Sequence, residues 1–315
     1  MNGKTRPILA IMAAASLWGF IGWFSYVLMF YGFSTVQVTA VRTIAGALFM
    51  TALLLLRSPQ LLKISPRDIW MFIGTGIFSV LFFNLFYLLT FTFSSLSVAV
   101  MLLYTAPAFV MLLSVLLFKE RLTKGKLLAL ASTILGCLFL SGILSGGWQC
   151  PPEAFLTGIL SGFGYALYSI FSKYALKKYN SATISVWTFY LASLPLLPFC
   201  QPDVMLSCFI YIPDTALAAA GISILCTVMP YLLYTYGLKY VDAGHASILA
   251  MLEPVVGCLI GLTALGENFT SAKAAGLFFI LAAIVILNSG SLFKRGERTM
   301  ILISACLLGL SLIHI

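Results

Sequence analysis

FKERLTKGK at residues 118–126 and LGENFTSAK at residues 265–273 decide how this chain is read. Sliding the sequence along itself by 147 positions, with no gap, sets Glu120 on Glu267, Thr123 on Thr270 and Lys126 on Lys273. The same shift sets Pro107 on Pro254, Gly74 on Gly221, Tyr87 on Tyr234, Ala99 on Ala246, Phe24 and Ser25 on Phe171 and Ser172, and Ser34 on Ser181. Several of these are common membrane residues. The aligned prolines and the shared Glu–x–x–Thr–x–x–Lys spacing are more specific. A repeat of this length constrains the architecture before any local reading.

The composition supplies the medium. Of 315 residues, 61 % are hydrophobic and 9 % charged, with a mean hydropathy of +1.07. Soluble domains carry about 25 % charged residues, which excludes a soluble globule. The apolar residues fall in blocks near 7–30, 35–56, 69–90, 95–117, 126–144, 154–175, 182–199, 215–238, 244–265 and 272–292. A bilayer-spanning helix needs about 20 residues, so ten membrane helices are predicted: an all-α integral membrane protein with short connections. Residues 1–147 and 148–293 then each hold five helices, and 294–315 form a basic stop followed by an apolar tail. That tail has no place in the two-repeat scheme.

The net charge of +9 reports topology. Taking alternate connections as one face, Lys4, Arg6, Arg57, Lys63, Arg67, Lys119, Arg121, Lys124, Lys126, Lys173, Lys177, Lys178, Lys239, Lys294, Arg295 and Arg298 share a side. Of the eighteen basic residues only Arg42, inside a helix, and Lys273 are left. This is the positive-inside pattern of a multi-pass protein of the cell membrane. It puts both termini in the cytoplasm and gives no support to a nucleic-acid partner. The first helix has the look of a signal peptide, but the repeat needs it as structure. The seven cysteines make no CxxC pair and no cluster with histidine, so no metal site is expected. Cys150, Cys200 and Cys208 share the outer side, where a disulfide is compatible.

Five helices per unit is an odd number, so the second unit enters the membrane from the opposite side. Inverted repeats around a central cavity are typical of secondary transporters, because two such halves exchange conformations and open one site to either face. Ten helices in two repeats, ASLWGF at 15–20, Arg42 in the second helix and LEPVVGCLIGLTALGE at 252–267 resemble the drug/metabolite transporter superfamily, in particular its EamA-type members. The resemblance covers roughly residues 8–290 and implies small-metabolite transport, often export of amino acids or related compounds. The first repeat departs from it, with Ala106 before its proline and Lys119 where the second has Gly266.

Glu253 stands about nine residues into helix 9, roughly 14 Å deep at 1.5 Å per residue. A carboxylate there costs several kcal/mol unless it faces protein or water. It either lines the cavity and carries a proton or a cationic substrate group, or is held by structural hydrogen bonds near the Pro254 kink, or is locked to Arg42. Arg42, roughly 11 Å from the outer side, either meets a substrate carboxylate bidentately or snorkels to the interface. An acid and a base at similar depth suit a zwitterion. Pro107 and Pro254 are expected to kink helices 4 and 9 as cavity walls or hinges. Trp18, Asn84, Tyr87, Tyr104, Tyr165, Tyr168, Trp187 and Tyr234, at mid-helix depth, are the remaining candidates for the cavity wall, with helix packing as their alternative role. Glu120 and Glu267 are read as loop structure, Thr123 and Thr270 as N-caps, and His245 as a helix-end residue. Small residues Gly158, Ser161, Gly162, Gly164, Gly257 and Gly261 are read as close-packing positions.

The sequence-level expectation is a secondary transporter, an exporter of small polar or zwitterionic metabolites, with a proton as a candidate coupling ion and no cofactor. A channel-like pore or an integral-membrane transferase are the rivals. No Walker loop is present for ATP coupling, and two histidines with no acidic cluster in the loops give a transferase little chemistry. A homodimer is compatible with the sequence.

Overall fold

The computed structural model describes residues 5–141, 150–266 and 268–292. Glu267 and the tail expected to stand outside the repeats lie beyond them. Ten apolar helices are present among the described residues. They are α1 (Thr5–Phe30), α2 (Thr35–Arg57), α3 (Pro66–Phe93), α4 (Val98–Phe118), α6 (Pro152–Ala175), α7 (Ser181–Phe199), α8 (Pro213–Leu238) and α9 (Ala243–Ala264), with α5 (Lys124–Leu140) and α10 (Ser271–Leu292). All but α5 are long and apolar enough to cross a membrane, and α5 has 17 residues. A short helix, Pro202–Tyr211, precedes α8.

The helix ends follow capping chemistry. Ser34 and Gln37 form a reciprocal capping box at the start of α2, which satisfies two backbone groups of a helix terminus. Thr123 and Thr270 each accept the backbone N–H three residues on, at 3.2 Å in both repeats. Ser34 and Ser181 differ in role despite their alignment, since Asn180 caps α7.

The irregularities recur with the repeat. α3 contains a π-helical stretch at Gly76–Leu81, and α8 has one at Ile224–Val228. α4 breaks at Tyr104 and α9 at Met251, positions 147 apart. The proline kinks are therefore complete interruptions, after which Ala106–Phe118 and Leu252–Ala264 begin again. Pro107 and Pro254 sit in the opening turns of those segments, where a missing N–H removes no helical bond. α1 is also interrupted, at Phe20.

Contacts between the two halves come in exchanged pairs. α5 lies along α10, and α3–α6 packing has its counterpart in α8–α1. A Cβ added at Gly74 would lie 2.3 Å from Phe171, and one added at Gly221 would lie 2.4 Å from Phe24. Both the glycines and the phenylalanines are repeat mates, so one contact is made twice with the halves exchanged. At the α5–α10 seam, Ser132 donates to the Phe279 carbonyl at 2.7 Å, and these two residues are themselves 147 apart. Close approach there needs small residues: a Cβ on Gly136 would be 2.9 Å from the Gly276 carbonyl, and the reverse distance is the same. Without a hydrophobic drive between helices in lipid, such fitted contacts hold a bundle together.

Two loop contacts show the same exchange. Asp68, at the start of α3, accepts from Lys178 at 2.7 Å and from Tyr179 at 2.8 Å in the α6–α7 connection. Asp214, at the start of α8, accepts from Tyr31 in the α1–α2 connection at 3.1 Å. The hydrogen bond to the Asp68 carboxylate raises the Lys178 ammonium above the ordinary lysine value. The same contact holds the Asp68 carboxyl below the ordinary carboxylate value, so the pairing is present at neutral pH and weakens as pH rises through the raised lysine value or falls through the lowered aspartate one. Cys150, Cys200 and Cys208 are free thiols, so the disulfide compatible with the sequence is not formed.

Gly74→Ala and Gly221→Ala should each lower stability by about 1–3 kcal/mol, the usual cost of overpacking. Thermal unfolding of the purified protein in detergent checks this, with similar losses expected from the two because the contacts are mates.

Candidate functional site

A cavity of about 880 Å³, its mouth included, lies between the halves. Four pairs of repeat mates line it: Trp18 with Tyr165, Ile21 with Tyr168, Asn84 with Tyr231, and Tyr87 with Tyr234. The site therefore sits where the exchanged elements meet. Arg42, Ser79, Phe83, Val100, Leu103, Tyr104, Ser169 and Glu253 complete the wall. Trp18, Tyr168, Tyr231 and Tyr234 are buried at one end. Ser79 and Ser169 are buried as well, and the other ten lining residues, Arg42 and Glu253 among them, are partly accessible.

Half of the lining residues are aromatic. Trp18 meets Tyr231 edge-on at 5.6 Å between ring centres and Tyr234 at 5.4 Å. Tyr168 meets Tyr231 at 4.9 Å, and Phe83 meets Tyr165 at 5.3 Å. Edge-to-face pairs of this kind add about 0.5–1.5 kcal/mol beyond burial. Two hydroxyls are committed to neighbours: Tyr168 with Thr235 and Tyr234 with Ser169, each at 2.7 Å. The Ser79 hydroxyl, on the π-helical stretch of α3, is buried without a hydrogen-bond partner. A buried unpaired hydroxyl on a cavity wall is a point where a ligand recovers a hydrogen bond.

One carboxyl and one guanidinium group face this space. Glu253 lies in the opening turn of the second segment of α9, where the positive end of a helix dipole favours a carboxylate. Its Oε2 accepts from the Tyr165 hydroxyl at 3.2 Å. Arg42 donates Nε to Thr227 Oγ1 at 3.1 Å. Thr227 stands in the π-helical stretch of α8 and donates to the Ile222 carbonyl five residues back. Each π-helical stretch thus places a hydroxyl at or beside the cavity, a recurrent use of π-bulges. No ion pair within 4.0 Å joins Glu253 to Arg42 among the described residues. The repeat mates of these two residues are Ala106 and Phe189, so each charge belongs to one half only.

The profile of the EamA-like transporter family matches this chain twice, over residues 5–142 and 153–289. The chain belongs to that family. An uncharacterized transporter of Archaeoglobus fulgidus is 32 % identical over 260 residues, covering 81 % of this chain and 87 % of its own length. The "Uncharacterized inner membrane transporter YicL" of Salmonella typhimurium is 24 % identical, covering 92 % and 98 %. The "Probable amino-acid metabolite efflux pump" of the same organism is 25 % identical over 208 residues, covering 64 % and 70 %. A solved crystal structure superposes with a TM-score of 0.76 over 94 % of this chain and all of its own, at 19 % identity, and so shares the fold.

As an EamA-like transporter the protein is a multi-pass membrane protein, and its relatives are named as transporters. The Trp18–Gly19 pair in its first helix has a physical explanation. Trp18 lines the cavity, while a Cβ on Gly19 would lie 2.6 Å from Val256 Cβ and 3.0 Å from the Glu253 carbonyl. Glycine there lets α1 approach the break that presents Glu253. Gly158 and Gly162 act likewise for the other break, with Cβ positions 2.3 Å from Leu102 and 2.4 Å from Thr105.

Of the residues singled out in the sequence, Trp18, Arg42, Asn84, Tyr87, Tyr104, Tyr165, Tyr168, Tyr234 and Glu253 line the cavity. Trp187 does not. Its indole N–H donates to the Leu62 carbonyl at 3.0 Å, and its ring packs on Phe72 and Tyr190. Mid-helix depth sets distance along the helix and leaves open which way the face turns; α7 turns this one toward a loop. Tyr231 was missed, although its place 147 residues after Asn84 and three before Tyr234 marks it. Ser79 and Phe83 carry no such signal, because their cavity position depends on the wider turn of the π-helix.

Glu120 is structural, as its loop position suggests. Its carboxylate accepts from the Ala243 and Gly244 backbone N–H groups at 2.8 and 3.3 Å, capping α9. Lys173 and Lys126 stand 3.7 and 3.8 Å away. Lys126 also donates to Asp242 at 3.2 Å, and Lys173 to the Val241 carbonyl at 2.7 Å. His245, in the same first turn of α9, lies 3.3 Å from Asn288 Oδ1. The loop after α4 is thereby tied to the start of α9 and the end of α6.

Glu120→Ala should cost about 3 kcal/mol, the low end for breaking a buried ion pair, because Asp242 stays with Lys126. Unfolding in detergent measures it. Gly19→Ala should cost about 1–3 kcal/mol by overpacking and, by displacing the Glu253 backbone, slow transport more than Gly74→Ala at equal stability. Parallel unfolding and flux measurements test that ordering.

Proposed function

We propose that this EamA-like transporter is a secondary exporter of small zwitterionic metabolites, amino acids and their relatives foremost. Its two five-helix halves stand in inverted orientation, with both termini cytoplasmic, and alternate in opening one central site. The observation that carries the reading is the pair of opposite, mutually unpaired charges, Glu253 and Arg42, in one aromatic cavity lined by repeat mates. Each has one hydrogen-bond partner and no ion pair among the described residues, so both keep unmet capacity in the cavity wall. A ligand with an ammonium group for Glu253 and a carboxylate for Arg42 relieves both at once. A proton on Glu253 relieves one of them when the substrate has left, which is the basis for coupling export to proton entry. The relative named as an amino-acid metabolite efflux pump points to the same class.

The odd number of helices per half supports inversion, and the exchanged Gly74–Phe171 and Gly221–Phe24 contacts support a two-fold relation. The distribution of basic residues supports cytoplasmic termini.

The test is flux of an amino-acid panel driven by a pH gradient, in right-side-out and inverted vesicles. Wild type should show saturable, gradient-dependent flux, and Glu253→Gln should lose it while remaining folded. A folded Glu253→Gln that transports as wild type does would make Glu253 structural and remove it from the mechanism. Arg42→Gln should weaken half-saturation for carboxylate-bearing substrates about tenfold to a hundredfold, since hydrogen bonds to charged groups contribute about 1.5–3 kcal/mol. The matching decarboxylated amines should be nearly unaffected.

A further inference from the structure

A second cavity, about 860 Å³ with its mouth included, opens at the ends of α4, α6 and α8 on the face that carries the basic loops. It has no part in the site described above. Lys119, Lys173, Lys177 and Lys239 line it, with Leu117 and Leu238 among its apolar walls. Lys173 is committed to Val241 and Glu120. The other three are exposed, and among the described residues no carboxylate lies within 4.0 Å of any of them. Like charges gathered without a counter-charge repel one another and concentrate anions.

The surroundings narrow the anion. α4 ends at Phe118, α6 at Ala175 and α8 at Leu238, so the lysines stand just past the last membrane turns, at headgroup depth. Below them on α4, Leu112, Leu116 and Leu117 are exposed. Tyr240 beside Lys239 is exposed as well, and Tyr174 lies under the Lys177 ammonium at 5.0 Å. Tyrosines at this level mark the membrane interface. A basic pocket between membrane helices with an apolar flank fits a group that is anionic at its head and hydrocarbon below.

We propose that this cavity binds the phosphate headgroup of an anionic phospholipid, with its acyl chains along the exposed leucines of α4. Lys119 comes from the first half and Lys177 and Lys239 from the second, so one headgroup bridges the two halves beside the Glu120 cluster. This inference rests on the membrane location of the protein and stands independently of the transported substrate.

The experiment is native mass spectrometry of the full chain released from detergent, with phosphatidylglycerol or phosphatidylcholine of the same acyl chains added. Wild type should retain phosphatidylglycerol about tenfold better. Lys119→Asn combined with Lys177→Gln and Lys239→Gln should abolish that preference; asparagine tolerates the left-handed backbone at position 119 (φ 56°). Arginine at all three positions should keep it, which separates lost charge from lost fold. Millimolar inorganic phosphate should leave the bound lipid in place. Equal retention of the two lipids, a preference that survives the neutral triple variant, or its loss in the arginine variant would each overturn the site. Displacement of the lipid by inorganic phosphate would reassign it to a free phosphate ion.

Discussion

Backbone N–H and C=O groups in hydrocarbon have no water to turn to, so a membrane helix is broken only where protein or a cavity covers the break. That constraint organises this molecule. α1 is interrupted at Phe20, α4 at Tyr104 and α9 at Met251, and α3 and α8 widen into π-helical turns. The three breaks and the α3 stretch border one space, and Thr227 of the α8 stretch holds Arg42 there. Trp18 and Ile21 flank the first break, Tyr104 is the second, Glu253 follows the third by two residues, and Ser79 lies on a π-helical turn. The prolines make two breaks tolerable by sitting where a missing donor removes no bond, and glycines at 19, 158 and 162 allow neighbouring helices to cover them.

Repetition and its violation have separate jobs here. The scaffold repeats closely: mated glycines receive mated phenylalanines, mated threonines cap mated helices, and the seam of α5 and α10 joins a residue to its own mate. The chemistry does not repeat. Glu253 and Arg42 face Ala106 and Phe189 across the alignment, so the charges of the cavity belong to one half each. A symmetric frame around an asymmetric ligand is the arrangement the proposed exporter requires.

The charges outside the cavity are handled differently from those within it. Glu120 is enclosed by two backbone donors and two lysines, and Asp68 by Lys178 and Tyr179. Such saturated groups hold helix ends in place. Among the described residues, Glu253 has a single tyrosine donor and Arg42 a single threonine acceptor. Under-satisfied groups in a wall are where a ligand gains most, because the desolvation cost of the protein groups has already been met.

Much of this was legible from residues alone. Apolar run length set the ten helices, because bilayer thickness fixes how many residues a span needs. The 147-residue offset exposed the repeat, and with it the matching breaks before Pro107 and Pro254. Depth along a helix is linear in sequence, so most of the cavity residues were found by counting. Facing is not linear. Trp187 has cavity depth and turns toward Leu62, while Ser79 reaches the cavity through a π-helical turn that no residue pattern announces. Whether Glu253 and Arg42 pair was also beyond the sequence, because lateral separation depends on how α1, α2, α8 and α9 pack. By itself the sequence determined the membrane, the helices and the repeat, all set by local composition and spacing. Only the tertiary structure decided which side chains share one space and leave their charges unpaired, since that is settled by close contacts between segments far apart in the chain.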